Sequence, residues 1–91
     1  MIPNKTKILA TIGPACSNHK TLQQMVDIGV NAFRINMSHG SSDDKKSLFK
    51  QIKKLRSEGT LYPTVLVDLA GPKIRIKHVK DGLALKENDK I

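Results

Sequence analysis

The sequence has few of the residues that mark several common protein classes. It has a single cysteine among its 91 residues, Cys16, so it cannot form a disulfide within the chain. It has two phenylalanines, one tyrosine and no tryptophan, too few for the alternation of aromatic and basic residues that binds RNA. No apolar run approaches the roughly 18 residues that span a membrane. These shortages argue against a disulfide-rich secreted domain, an RNA-binding module and a membrane protein, and they favour a cytoplasmic protein.

Acidic residues are also scarce, with eight against 16 basic ones and a formal net charge of +8. Six of the basic residues fall between Lys45 and Arg56, and six more follow Gly71. Such a balance can indicate a nucleic-acid partner. Because aromatic residues are so few, we favour a solvated helix face together with a site for anionic metabolites.

Hydrophobic periodicity predicts the order strand, helix, strand, helix, strand. Each connection is long enough for a crossover between parallel strands. Gly29 and Gly59 follow the two helices as stop signals. The predicted strands lie near residues 7–12, 33–38 and 64–68. The first predicted helix lies near residues 18–28, with Ser17 as its N-cap. The second begins within residues 41–44 and ends at Gly59.

The second predicted helix divides into an apolar stripe and a basic remainder. The stripe predicts a buried face made of Leu48, Phe49, Ile52 and Leu55. We interpret the basic residues as a solvated outer face. They are Lys45, Lys46, Lys50, Lys53, Lys54 and Arg56.

Residues 33–40 (FRINMSHG) carry the densest set of candidate site residues. Apolar and polar residues alternate there, so a strand would turn Arg34, Asn36 and Ser38 to one side. A guanidinium, an amide and a hydroxyl together can bind a phosphate or a carboxylate, and their oxygens can bind a hard cation. An edge strand with a solvated polar face explains the same pattern.

Polar groups also follow the other two predicted strands. Gly13 follows the first strand, and residues 68–71 (DLAG) follow the third. In parallel sheets, sites form at the carboxyl ends of the strands. Because three such clusters fall on one edge, the sequence favours a functional site there. His39 could serve this site or could bond a backbone carbonyl at the end of its strand.

The pattern changes after Pro72. Residues 73–77 (KIRIK) alternate with period two, residues 81–82 (DG) are a turn signal, and residues 83–85 (LAL) are short and strand-like. We therefore predict that residues 71–91 open a separate antiparallel β module.

Three motifs in the chain resemble the pyruvate kinase family in order and spacing. They are residues 6–15 (TKILATIGPA), residues 33–40 (FRINMSHG) and residues 67–75 (VDLAGPKIR). The resemblance covers nearly the whole chain. It implies an α/β fold in which residues 1–70 form the β-α-β-α-β start of a (β/α)8 TIM barrel with parallel strands. It also implies that residues 71–91 contain the opening strands of a small β-barrel domain, inserted after the third barrel strand.

The resemblance further implies an activity, phosphoryl transfer between phosphoenolpyruvate and ADP that gives pyruvate and ATP in glycolysis. The intact enzyme is then expected to be a homo-oligomer, a tetramer. The magnesium-binding acids and the catalytic lysine of the family lie on later strands. We therefore expect the Mg²⁺ ligands to lie outside this chain and the 91-residue chain alone to be inactive. The alternative is a stand-alone basic module that binds nucleic acid or polyphosphate.

The resemblance assigns roles to basic and polar residues of this chain. It implies that Arg34 contacts the phosphoryl group of phosphoenolpyruvate. A fork-shaped guanidinium suits that task, since phosphoryl transfer depends on positioning and on neutralising charge. Asn36, Ser38 and His39 would line the nucleotide phosphates, and Arg75 would also reach the nucleotide.

The same resemblance implies a site for a monovalent cation, K⁺. Its ligands would be Asn36, Ser38, Asp68 and the backbone carbonyl of Leu69, all oxygen donors of the kind that a hard cation prefers. In the potassium-requiring branch of the family, a glutamate stands where this chain has Lys73. An ammonium there would place a positive charge beside Asp68 and replace the cation, unless Lys73 is one more solvated lysine.

Overall fold

The computed structural model describes residues 5–59 and 62–90 of the chain. Strands and helices alternate in it, and the three strands are parallel and lie side by side in sequence order. The strands are β1 (Leu9–Thr11), β2 (Ala32–Asn36) and β3 (Thr64–Asp68), the helices are α1 (His19–Asp27) and α2 (Ser42–Glu58), and a short 3-10 helix spans Pro14–Cys16. The predicted β-α-β-α-β order and the parallel sheet are confirmed.

The central strand, β2, holds the middle of the core. Phe33 and Ile35 are completely buried on one face of the strand, and Arg34 between them lies on the other face. The helices supply the rest of the core with Leu22 and Val26 from α1 and Leu48, Ile52 and Leu55 from α2. Because both helices cover the same face, the opposite face of the sheet is left uncovered, and it carries the apolar Leu9 and Leu66 together with polar residues.

Helix α1 begins one residue later than the sequence predicted. The side chain of Asn18 caps it by accepting a hydrogen bond from the backbone N–H of Thr21 at 2.9 Å. The prediction of Ser17 as N-cap is wrong, because the Ser17 hydroxyl donates to the carbonyl of Pro14 at 3.4 Å and closes the preceding 3-10 turn. The predicted stop is confirmed, since Gly29 has a φ of +114°.

Helix α2 begins and ends where the sequence predicted, with Ser41 as its N-cap and Gly59 as its C-cap. Its predicted apolar face needs one correction. Leu48 is buried, but Phe49 is 38% exposed. Each residue advances about 100° around a helix, so Phe49 turns away from the core that Leu48 faces.

The basic residues of α2 are exposed, as predicted, except for Lys45, which is partly buried. The exposed Arg56 also makes a tertiary contact. The guanidinium of Arg56 donates from Nη2 to the carbonyl of Pro63 at 2.7 Å. This bond connects the end of α2 to the segment that enters β3.

Within the described part of the chain, neither helix has the length and apolar content that a membrane crossing requires.

Residues 69–90 form neither a helix nor a strand. The predicted turn at residues 81–82 is present, since Gly82 has a φ of +73° and Leu83 N–H donates to Lys80 O at 3.2 Å. The strands predicted at residues 73–77 and 83–85 are not formed in this structure. A strand needs a partner to satisfy its backbone, and no partner lies beside these residues in the described chain.

Candidate functional site

The pairing register brings polar residues of all three strands to one face of the sheet. Thr11 pairs with Arg34, and Asn36 pairs with Asp68. Paired residues on neighbouring strands point to the same side, and Phe33, next to Arg34 in sequence, points to the helices. The four polar side chains therefore lie on the face opposite the helices. They are at or near the carboxyl ends of the strands, where parallel α/β folds build their sites.

The guanidinium of Arg34 connects the three strands. Its Nη1 donates to Thr11 Oγ1 at 3.3 Å, and its Nη2 donates to a carboxylate oxygen of Asp68. The side chains of Arg34 and Asp68 stay 30% and 47% exposed. Ion pairs this exposed typically contribute only about 0–1 kcal/mol to stability. The contacts therefore matter chiefly for orientation, since they hold the fork in place and leave further N–H donors for an anion.

A tight turn follows β2 and keeps its polar residues at the edge of the sheet. The side-chain oxygen of Asn36 accepts from Ser38 N–H at 2.9 Å, and the backbone oxygen of Asn36 accepts from His39 N–H at 3.4 Å. Gly40 has a φ of +78°, in the left-handed region that favours glycine. This turn gives residues 36–40 one compact path into α2.

A capping box fixes the start of α2 beside this turn. Ser41 N–H donates to Asp44 Oδ2 at 3.2 Å, and Asp44 N–H donates to Ser41 Oγ at 3.1 Å. The hydrogen bonds from Ser41 lower the pKa of the Asp44 carboxyl below its ordinary value, and the nearby charge of Lys45 lowers it further. Asp44 is therefore a carboxylate at neutral pH, and one of its oxygens is held by the helix start.

A cleft of about 490 Å³ opens between the loop after β1 and the first turns of α2. This volume is within the range of about 300–1,000 Å³ that is usual for small-molecule sites. Its lining includes Thr11, Gly13, Pro14 and Ser17 from the first strand and its loop, and Asn36, His39, Gly40, Asp44 and Lys45 from the second loop and α2. Since Thr11 also bonds Arg34, the cleft and the guanidinium belong to one continuous surface.

The structure brings most of the site residues predicted from the sequence together. Arg34 and Asp68 are in contact, and Asn36 and Ser38 share the turn beside them. Asn36 and His39 line the cleft. Their positions are thus close to one another, and their roles stay predictions.

Three residues predicted for the site lie in or at the start of residues 69–90. Leu69 directly follows Asp68 and is 77% exposed. Lys73 and Arg75 are exposed in the segment without helix or strand. Among the described residues, no hydrogen bond or ion pair connects either of them to the carboxyl edge of the sheet.

The oxygen donors at this edge suit a monovalent cation. Asn36, Ser38 and the carbonyl of Leu69 are neutral donors, and Asp68 adds one carboxylate, so the set carries a single negative charge. Arg34 bonds only one of the two carboxylate oxygens of Asp68. In the described residues, no cluster of three or more His, Cys, Asp or Glu side chains is placed to hold a metal ion. By chemical type, these oxygen donors could hold a singly charged ion.

Sequence reasoning missed three residues of this surface. Thr11 pairs with Arg34 in the sheet, and the alternation of side chains along the first predicted strand was the signal that could have pointed to it. Ser17 lines the cleft because the 3-10 turn carries it there, and the Gly13-Pro14 pair at the start of that turn was the signal that could have indicated it. Lys45 was grouped with the solvated lysines, although it is partly buried and lines the cleft.

Comparisons with known proteins agree on one family. Residues 3–91 match the family described as pyruvate kinase, barrel domain. The pyruvate kinase of Thermotoga maritima is 42% identical over 83 residues, which cover 90% of this chain and 18% of that protein. The pyruvate kinase of Clostridium perfringens is 42% identical over 86 residues, covering 93% of this chain and 18% of the relative.

A solved structure gives the same result. The crystal structure of a pyruvate kinase from Cryptosporidium parvum superposes with a TM-score of 0.68 and 30% identity, over 75% of this chain and 14% of that one. The chain thus spans less than a fifth of the length of these relatives. The family match, the shared motifs and the superposed fold together show that this chain belongs to the pyruvate kinase family, within its barrel domain.

Proposed function

We propose that this chain contributes to the active site of an enzyme that transfers a phosphoryl group between phosphoenolpyruvate and ADP, giving pyruvate and ATP. Family membership supports the reaction, and the observation that carries it to this surface is the contact of Arg34 with Thr11 and Asp68. None of the similarities supports the alternative, a basic module that binds nucleic acid or polyphosphate.

Arg34 is proposed to bind the phosphoryl group of phosphoenolpyruvate. Its bonds to Thr11 and Asp68 use two of the five N–H donors of a guanidinium, and the others can meet phosphate oxygens. Because its direction is set before the substrate arrives, little reorganisation is needed as charge develops in the transition state. The chain's part in the reaction is thus to position and neutralise the phosphoryl group.

The cleft beside Arg34 is proposed to hold the nucleotide. Asn36, Ser38 and His39 would line its phosphates, and Arg75 would approach from the segment after β3. Asn36 and His39 are lining residues of the cleft, which supports this assignment. The backbone turn at residues 36–40 would keep these groups fixed as the nucleotide enters.

The intact enzyme is proposed to use Mg²⁺ and K⁺, the cofactors that the resemblance to pyruvate kinases implies. In this chain we propose Asn36, Ser38, Asp68 and the Leu69 carbonyl as the oxygens that would hold the monovalent cation, which would neutralise charge beside the phosphoryl group. The alternative proposal is that the ammonium of Lys73 supplies that charge. The Mg²⁺ ligands are proposed to lie outside this chain.

The organisation around the site is also a proposal. Residues 1–70 would form the first three strands and two helices of a (β/α)8 barrel, and residues 71–91 would begin an inserted β domain. The parallel strands of the sheet agree with the first part. The intact enzyme would be a homotetramer in the cytoplasm.

A chimaeric enzyme tests the proposed function. In it, residues 3–91 of this chain replace the matching segment of the T. maritima pyruvate kinase. We expect turnover of phosphoenolpyruvate and ADP in the presence of Mg²⁺, measured by coupling pyruvate to lactate dehydrogenase. The isolated 91-residue chain should show no turnover. A chimaera that folds like the parent enzyme but is inactive would contradict the proposal.

A further inference from the structure

Lys45 differs from the other lysines of α2 in its surroundings. It is partly buried, whereas Lys46, Lys50, Lys53 and Lys54 are all exposed. It also lines the cleft, together with His39 and Gly40. Its side chain therefore occupies the wall of a cavity, which a lysine on a solvated helix face would not do.

The ammonium of Lys45 lies against the turn that leads into α2. A methyl group added to Gly40 would come within 3.3 Å of Lys45 Nζ, so the absence of a side chain at Gly40 leaves room for the ammonium. The ammonium thus lies beside Gly40, in the turn whose other residues are proposed to meet the nucleotide phosphates.

The charges around Lys45 leave it free to meet an anion. Asp44 is the one carboxylate among the described lining residues, and its Oδ2 already accepts from Ser41 N–H in the capping box. Asp44 and Lys45 attract each other, but no ion pair within 4.0 Å forms between them in the described structure. Among the described residues that line the cleft, Lys45 is the one lysine, and none is an arginine.

From these observations we propose that Lys45 binds the phosphate chain of the nucleoside diphosphate in this cleft. A lysine ammonium is a compact point charge with three donors, well suited to phosphate oxygens. This inference rests on the proposed function, and it adds a binding residue on α2 to a site otherwise drawn from the strand ends. The phosphoenolpyruvate site proposed at Arg34 adjoins this cleft through Thr11, and Arg34 itself does not line the cleft.

The chimaeric enzyme tests this role through four proteins: the unmodified chimaera, Lys45→Gln, Lys45→Arg and Lys46→Gln. We expect Lys45→Gln to raise the KM for ADP about tenfold and leave the KM for phosphoenolpyruvate within twofold, about 1.4 kcal/mol of lost nucleotide binding. Lys45→Arg, which keeps the charge, should stay within threefold of the unmodified chimaera. Lys46→Gln is the matched control, since Lys46 is the exposed neighbour, and should change nothing.

Titration calorimetry of ADP binding, without phosphoenolpyruvate, separates this inference from the proposed function. A chimaera that is inactive but loses about tenfold in ADP affinity on Lys45→Gln would support the role of Lys45 and contradict the proposed function. Equal ADP affinities of Lys45→Gln and the unmodified chimaera, within twofold, would overturn the role of Lys45 whether or not the chimaera turns over. Equal losses in Lys45→Gln and Lys46→Gln would also overturn it, because they would indicate a diffuse effect of helix charge.

Discussion

Two stretches of this chain have the same alternation of apolar and basic or polar residues, and only one forms a strand. Residues 33–37 (FRINM) contribute to the central strand β2, where Ile35 is completely buried. Residues 73–77 (KIRIK) form no strand, and Ile76 is 70% exposed. The first stretch has a parallel partner on each side and two helices over one face, and the second has neither. Alternation thus predicts which side chains would share a face, but the neighbours decide whether a strand forms.

One matched pair of substitutions tests this contrast with the largest expected effect. Ile35→Ala should lower the free energy of unfolding of the 91-residue chain by about 2–5 kcal/mol, because it leaves a cavity in the core. Ile74→Ala removes the same atoms from a fully exposed site and should change the free energy of unfolding by less than about 0.5 kcal/mol. Urea denaturation followed by circular dichroism measures both. A chain with Ile35→Ala that is already unfolded without urea would agree with the account, and equal effects of the two substitutions would contradict it.

The second prediction asks whether the segment after β3 reaches the site in an assembled enzyme. If the ammonium of Lys73 lies beside Asp68, the chimaeric enzyme should have activities within about threefold in K⁺ and in a bulky quaternary ammonium salt of equal ionic strength, a barrier difference below ~0.7 kcal/mol. Lys73→Glu should then make the activity depend on K⁺. Lys77→Glu, a charge change of equal size farther along the segment, is the control.

A hundredfold activation of the unmodified chimaera by K⁺ would end the hypothesis about Lys73. It would instead support Asn36, Ser38 and Asp68 as ligands of a true cation site. A Lys73→Glu chimaera that stays independent of K⁺ would also count against the hypothesis.

The smallest expected effect concerns pH and the two aspartates that accept turn hydrogen bonds. Hydrogen bonds from Ser41 lower the pKa of Asp44 in the folded chain, so the ionised form contributes stability above the ordinary pKa of aspartate. That contribution is lost as the pH falls below about 4 and through the lowered value. Helical circular dichroism should therefore decrease over that range, and Asp44→Asn should remove this part of the change.

Asp89 supplies the control for the pH measurement. It accepts from Lys86 N–H at 2.9 Å, but it lies in the segment that has no helix or strand. Asp89→Asn should leave the pH dependence of the helical signal as it is in the unmodified chain. If the helical signal changes with pH in the same way in Asp44→Asn and in the unmodified chain, the capping box does not contribute to that pH dependence.

Much of the fold could be predicted because local signals and tertiary packing agree in it. The limits of α2 follow from Ser41 and Gly59, and the core of β2 follows from Phe33 and Ile35. One error occurs where two neighbouring turns compete for the same residue. Ser17 would cap α1 on residue type alone, but the 3-10 turn before it takes its hydroxyl.

The candidate site could be predicted where it depends on the alternation of side chains along the strands. It could be predicted less well where it depends on the conformations of long side chains. Parity and the rule for carboxyl ends predicted that Arg34, Asn36 and Asp68 would share one edge of the sheet. The bond from Arg34 to Thr11 and the partial burial of Lys45 depend on the conformations that these long side chains adopt. The sequence pattern alone does not distinguish Lys45 from the exposed Lys46.

The kinetic effect of substitutions at Arg34 in the chimaeric enzyme tests the central claim most directly. We expect Arg34→Ala and Arg34→Lys each to lower kcat/KM for phosphoenolpyruvate at least a hundredfold, about 2.7 kcal/mol of transition-state stabilisation, because an ammonium cannot replace the fork between Thr11 and Asp68. Circular dichroism and oligomeric state should stay unchanged, since the exposed ion pair contributes little to stability. A kcat/KM within threefold of the unmodified chimaera for both variants would contradict the account.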